Sequence, residues 1–155
     1  FRNKRVFNTD ISSWDTSDVE NMERLFAEAN AFNQDISKWD VGKVWNMEKL
    51  LKGAHAFNQN IGGWDTSEAK NMREMIRMTK VFNQDISGWD VINVEDMRGF
   101  AKQTESFNQD LTGWDVSNVN RCDGFNLQSL SMEDTNRPNF TICSPNIVDS
   151  NSIPN

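Results

Sequence analysis

The sequence is poor in several features that particular functions require. It has one histidine and two cysteines, and it contains no Ser/His/Asp or Cys/His set, zinc-spaced cluster or phosphate-binding glycine loop. Lys and Arg number 16 against 23 Asp and Glu, and the net charge of -7 disfavours binding to DNA or RNA, which requires excess cations. No run of about 18 apolar residues occurs, and no signal-peptide pattern opens the chain. We therefore expect no enzymatic activity, cofactor, metal, nucleic-acid partner or transmembrane segment in this piece.

An internal repeat of 25 residues fills most of the chain. Residues in the same place of successive units are called a column here. The Phe column is Phe7, Phe32, Phe57, Phe82 and Phe107, and the Trp column is Trp14, Trp39, Trp64, Trp89 and Trp114. One unit cannot bury its apolar side alone, so the repeat predicts stacked units with a core of Phe, Ile, Trp, Val, Met and Leu columns.

Each unit divides into two halves by local pattern. The part from Gln-Asp to Trp-Asp suits a short strand and a turn. The second half places its apolar residues on one face of a helical period, namely Val19, Met22, Leu25, Phe26 and Ala29. The predicted fold is an α/β solenoid, a leucine-rich-repeat-like right-handed coil of five 25-residue strand–turn–helix units with a C-terminal cap. We expect the solenoid at residues 1–128, with an incomplete first unit, and a cap and irregular tail at 129–155.

The repeat motif FNQDISxWDxSxVxNM resembles that of the BspA-like leucine-rich-repeat surface-protein family over about residues 1–128. The resemblance implies a secreted or surface-anchored protein that adheres to host proteins or other cells, and it brings no catalytic residues. The expected function is a non-enzymatic protein-interaction or adhesion module. The alternative is a structural accessory subunit of a larger assembly. The expected location is extracellular or at the cell surface, with the lumen of an organelle as the alternative.

Two polar columns have structural interpretations. The Asp column that starts at Asp15 is expected to accept backbone amides just downstream, because a row of carboxylates needs partners. The Asn column that starts at Asn8 is expected to bond the backbone of the neighbouring unit. A calcium site between units is the less favoured alternative for a third set of residues, namely Asp10, Asp35, Asp85 and Asp110.

The two cysteines lie near the end of the array. Cys122 takes the place of a core Met, and a disulfide to Cys143 would hold the cap over the apolar end of the stack. Two buried thiols are the alternative. Asn139 begins an N-glycosylation sequon, which together with a disulfide indicates an oxidising compartment.

Candidate binding residues are sought at positions that vary between units. Trp45 has only polar counterparts, so we interpret it as a partner-binding residue, with packing between neighbouring helices as the alternative. Lys70, Arg73, Arg77 and Lys80 form a basic stripe on the third predicted helix, which suits an acidic partner or lipid head groups. A solvated face is the alternative for that stripe. The partner is expected to be another protein or a glycan.

Overall fold

Successive units stack in parallel, with equivalent residues side by side. The computed structural model describes residues 1–146. Isolated parallel β-bridges join one position of each unit to the next, in the order Asn21, Asn46, Asn71, Asp96 and Arg121. Because every bridge joins residues 25 apart, the period of the sequence is also the register of the stack.

The predicted α/β solenoid of strand–turn–helix units is wrong. Within residues 1–146 the only helix is a 3₁₀ helix of three residues, Asp134–Asn136. β-Structure in the same range is confined to the isolated bridges. Each unit is instead a succession of turns and bends.

The segment predicted as a helix uses its backbone amides in two alternating ways. From position 22 to position 28, every second amide donates to a carbonyl of the next unit, as Arg24 N does to Glu48 O at 2.8 Å. The amides of positions 25, 27 and 29 donate three residues back, as Ala27 N does to Arg24 O at 3.1 Å. An α-helix would instead bond each amide four residues back. The apolar spacing fits both arrangements, since each short turn also directs a side chain inward.

Two columns adopt the left-handed backbone conformation, which turns the chain sharply. The first contains Arg24, Lys49, Glu74, Gly99 and Gly124, with φ between 52° and 64°. The second contains Asn3, Glu28, Gly53, Met78, Gln103 and Gln128, with φ between 58° and 69°. This conformation suits glycine and costs other residues about 1–2 kcal/mol each. Glycine is unfavourable inside a helix, so the glycines at these positions indicate that the segment is not helical. The apolar pattern obscured this signal in the sequence.

The interior consists of stacked apolar columns, which confirms the core predicted from the repeat. Ring centroids of successive members of the Phe column lie 5.7–5.9 Å apart from Phe32 onward, and these rings are fully buried. From the second unit onward, the Ile, Val and Met columns are buried with them. Equivalent side chains therefore superimpose along the stack.

The Trp column combines packing with a hydrogen bond in each unit. From Trp39 to Trp114 its members are 3–5% exposed, and each indole Nε1 donates to the carbonyl of an Ile 28 residues earlier at 3.0–3.2 Å. Burial of an indole requires such a partner for its N–H. Trp14, in the first unit, is 49% exposed.

The polar columns bond the backbone as the sequence predicts. Asn8 Oδ1 accepts the amide of Asn33 at 2.9 Å, and the same bond recurs between later units. Asp15 Oδ1 accepts the amide of Ser17 at 3.1 Å, and each later member of its column accepts the amide two residues on. Both predictions of structural roles are confirmed, although the Asp turns lead into further turns rather than into helices.

The segment after the last unit continues the stack as an incomplete further unit. Met132 takes the next place in the Phe column and is 5% exposed. The carbonyl of Asn136 accepts the amide of Leu111 at 2.8 Å. These contacts belong to the segment 129–155 that was predicted as cap and irregular tail, of which residues 147–155 lie outside the described range.

Candidate functional site

Trp45 is held in the stack by its backbone while its side chain faces outward. Its amide donates to Glu20 O at 3.0 Å, and its carbonyl accepts the amide of Lys70 at 2.9 Å. The residue is 43% exposed, in contrast to the inward-facing Trp column. The indole of Trp45 is therefore available at the surface.

A groove of about 350 Å³ runs along the stack beside Trp45. Its outer rim is one column, Trp45, Lys70, Glu95 and Asn120, and its inner side is formed by Asn71, Asp96 and Arg121. These residues come from four successive units, so the groove is about 14 Å long at about 4.8 Å per unit. The structure thus brings the predicted residues Trp45 and Lys70 together in one place.

The polar groups of the rim and of the inner side differ in how they are bonded. Within residues 1–146, the side chains of Lys70, Glu95 and Asn120 make no hydrogen bond or ion pair, and all three residues are exposed. Asp96 is buried instead, and its carboxylate accepts Arg98 Nε at 3.0 Å and lies 3.7 Å from Arg121 Nη1. The three rim side chains are therefore free to bond a ligand, whereas the carboxylate of Asp96 is already paired with cations.

The basic stripe does not exist as one helical face, because the segment is not a helix. Lys70 lines the groove, whereas Arg77 Nη1 lies 3.2 Å from Glu74 Oε2 and Arg73 Nη2 lies 3.9 Å from Glu74 Oε1. Lys80 is exposed and pairs with Glu105 at 3.5 Å. A partner-binding role for Arg73, Arg77 and Lys80 stays a prediction, and the geometry separates these three from Trp45.

Glu74 is the centre of a partly buried charge cluster. Burial by itself would raise the pKa of Glu74, but the hydrogen bond and charge of Lys52, with the charge of Arg77, hold that pKa below its usual value. Lys52 Nζ lies 3.0 Å from Glu74 Oε2. Because Arg77 compensates the charge of the partly buried Glu74, it offers little free charge to a partner.

The Asp side chains that were the alternative calcium ligands accept hydrogen bonds within turns instead. Asp10 Oδ1 accepts the amide of Ser12 at 2.9 Å, and this bond lowers the pKa of Asp10. Asp35, Asp85 and Asp110 accept the equivalent amides. In the part of the chain that the structure describes, no group of three or more His, Cys, Asp or Glu side chains is arranged to hold a metal ion.

The two cysteines meet where the final segment covers the stack. Their Cα atoms are 5.8 Å apart, and Cys122 and Cys143 form a disulfide. Phe140 packs edge-on against Phe125 in the same region, with ring centroids 5.2 Å apart. Asn139 is exposed, as the predicted glycosylation requires, and that modification stays a prediction.

Most residues of the groove were not singled out from the sequence. Asn71, Glu95, Asp96, Asn120 and Arg121 lie in two neighbouring columns, and only stacking shows that they line one surface. The available signal was that the rim column changes in every unit, and that the neighbouring column changes from Asn to Asp96 and Arg121 in the last two units. Variation within a repeat marks positions that the stack itself does not constrain.

These observations define a protein of tandem 25-residue units stacked in parallel, with a groove along one surface. The chain belongs to the family described as Mycoplasma protein of unknown function, DUF285, whose model matches residues 1–81 and 39–137. This is a BspA-like repeat family, so the resemblance is confirmed at that level, while the specific repeat motif stays a prediction. No curated protein and no solved structure matches the chain.

The described residues also bear on location. Between residues 1 and 146, no helix has the length and apolar character needed to cross a membrane. The disulfide is compatible with an extracellular protein.

Proposed function

We propose that the chain is a non-enzymatic binding module of a secreted or cell-surface protein, and that it holds its partner along the Trp45 groove. The single observation that carries this proposal is the outward indole of Trp45, which is 43% exposed in a column whose other members are polar. Large aromatic side chains dominate binding energy when a partner covers them. The groove beside it supplies polar groups that can orient the partner.

The location in this proposal is supported by the disulfide and by the exposed sequon at Asn139. Disulfides persist in oxidising compartments, and N-glycosylation takes place on chains that pass through them. Adhesion to a protein or glycan outside the cell is the function that unites these features with the BspA-like family.

The test is binding of the purified protein to arrayed extracellular proteins and glycans, before and after Trp45→Ala. Val81→Ala is the matched control, because Val81 is an apolar residue of similar exposure, 47%, that does not line the groove. We expect Trp45→Ala to weaken binding at least about tenfold and Val81→Ala to leave it unchanged. Equal binding by all three proteins would refute the assignment of the groove, and no binding by any of them would favour an accessory structural subunit.

A further inference from the structure

We propose that the ligand of the Trp45 groove is a short, uncharged oligosaccharide. This inference rests on the proposed binding function and specifies its ligand class. The exposed indole, the hydrogen-bonding groups of the rim and the charge of the groove all favour this class of ligand.

The indole of Trp45 offers a flat apolar surface at one end of the groove. The face of an aromatic ring carries partial negative charge. The C–H groups on one face of a sugar ring carry partial positive charge and present a matching flat surface. A sugar ring stacked on Trp45 would therefore gain both burial of apolar area and a favourable electrostatic contact.

The rim beyond Trp45 carries a donor, an acceptor and a group that is both. Lys70 donates, Glu95 accepts, and the amide of Asn120 does both. None of the three side chains has a bonding partner within residues 1–146. Sugar hydroxyls also donate and accept, so a sugar can satisfy all three groups as it covers them. An apolar ligand would remove water from them without replacing its hydrogen bonds, which is unfavourable.

The groove carries little net charge. Lys70 and Arg121 carry two positive charges, and Glu95 and Asp96 carry two negative charges. Asp96 is in addition paired with Arg98. With Arg98 counted, the cations exceed the carboxylates by only one, so a sulfated or otherwise polyanionic chain would find no row of cations here, whereas an uncharged sugar needs none. The length of about 14 Å, at about 4.8 Å per unit, suits a short linear chain of sugar rings.

The experiment uses the fluorescence of Trp45 in a protein that carries Trp14→Phe. All six tryptophans lie within the described residues, and Trp14 and Trp45 are the two that are largely exposed, so after this change Trp45 is the one exposed indole. The probes are neutral trisaccharides of glucose, galactose, mannose and N-acetylglucosamine. A sulfated heparin oligosaccharide and the extracellular proteins of the previous test are the comparison probes.

We expect at least one neutral trisaccharide to shift the emission of Trp45 to shorter wavelength in a saturable way. Its affinity should not change between about 50 and 200 mM NaCl, because an uncharged sugar releases no counterions when it binds. Glu95→Gln should weaken binding several-fold, and Trp45→Ala should weaken it at least about tenfold by isothermal titration calorimetry. Glu68→Gln is the matched control on an exposed carboxylate outside the groove and should have no effect.

Three outcomes would overturn the inference. If only the heparin probe binds, with salt dependence, the ligand is anionic. If no sugar binds but an extracellular protein does so through Trp45, the ligand class is wrong while the proposed function stands. If neither sugar nor protein binding depends on Trp45, both proposals fail. Circular dichroism of each variant should match that of the parent protein, so that loss of binding is not loss of folding.

Discussion

Replacing Trp64 by alanine tests whether stacked side chains hold the fold together. Trp64 is 5% exposed, its ring lies 6.3 Å from that of Trp89, and its Nε1 donates to Ile36 O at 3.1 Å. Truncation removes a ring that buries about 150–250 Å² and leaves a cavity, for which the expected loss is about 3–5 kcal/mol of the free energy of unfolding. The carbonyl of Ile36 also loses its donor, which adds about 1 kcal/mol.

Trp14→Ala is the control, because Trp14 occupies the same place in its unit but is 49% exposed. No hydrogen bond from its indole is found within residues 1–146, so its truncation should cost about half as much or less. Urea unfolding at 25 °C, followed both by tryptophan fluorescence and by near-ultraviolet circular dichroism, measures the two free energies. Equal losses for Trp64→Ala and Trp14→Ala would show that the stacked column does not carry the stability assigned to it.

Two further predictions concern a close contact and the covering segment. A Cβ on Gly62 would lie 2.3 Å from Asp85 O, whereas one on Gly63 would meet nothing within 4 Å. Gly62→Ala should therefore lower stability by about 1–3 kcal/mol and Gly63→Ala should not, and similar melting temperatures for the two would contradict this packing. Cys143→Ala opens a disulfide that spans 21 residues, so we expect a loss of about 3 kcal/mol in urea unfolding. An unchanged urea midpoint would mean that the covering segment is held by its other contacts.

The stacking register and the core were readable from the sequence, because both follow from residue identity at a fixed period. The Asn column bonds the next unit and the Asp column bonds the amide two residues on, and these are local preferences of the two side chains. Such preferences act in the same way whatever backbone path joins them. This is why they were predicted correctly although the fold class was not.

The backbone path was mispredicted because apolar spacing alone does not distinguish a helix from consecutive short turns. The deciding factor is where the amides bond, and Arg24 N bonds Glu48 O of the next unit. That choice depends on a neighbour that lies 24 residues away in sequence, which local patterns do not contain. Gly53, Gly99 and Gly124 occupy left-handed positions. Each is a single glycine within its unit, which is a weak signal in the sequence.

The candidate site was predicted in part for the same reason. Trp45 was predicted because its counterparts in the other units are polar, Lys70 was predicted as part of the basic stripe, and both line the groove. Glu95, Asp96 and Arg121 carry no distinguishing signal in the sequence, and only the stack brings them together along one groove. Arg73 and Arg77 were grouped with Lys70 by helical spacing, which the chain does not follow.

The bridges along position 21 have a consequence for how such proteins can change in size. Each unit offers the next the same row of amides and carbonyls, so a duplicated unit would find suitable neighbours on both sides without any redesign. Every added copy would extend the groove by about 4.8 Å and contribute one new side chain to its rim. Reach and specificity can thus be altered by copying a stretch of gene and then changing single codons, while the interior is inherited intact.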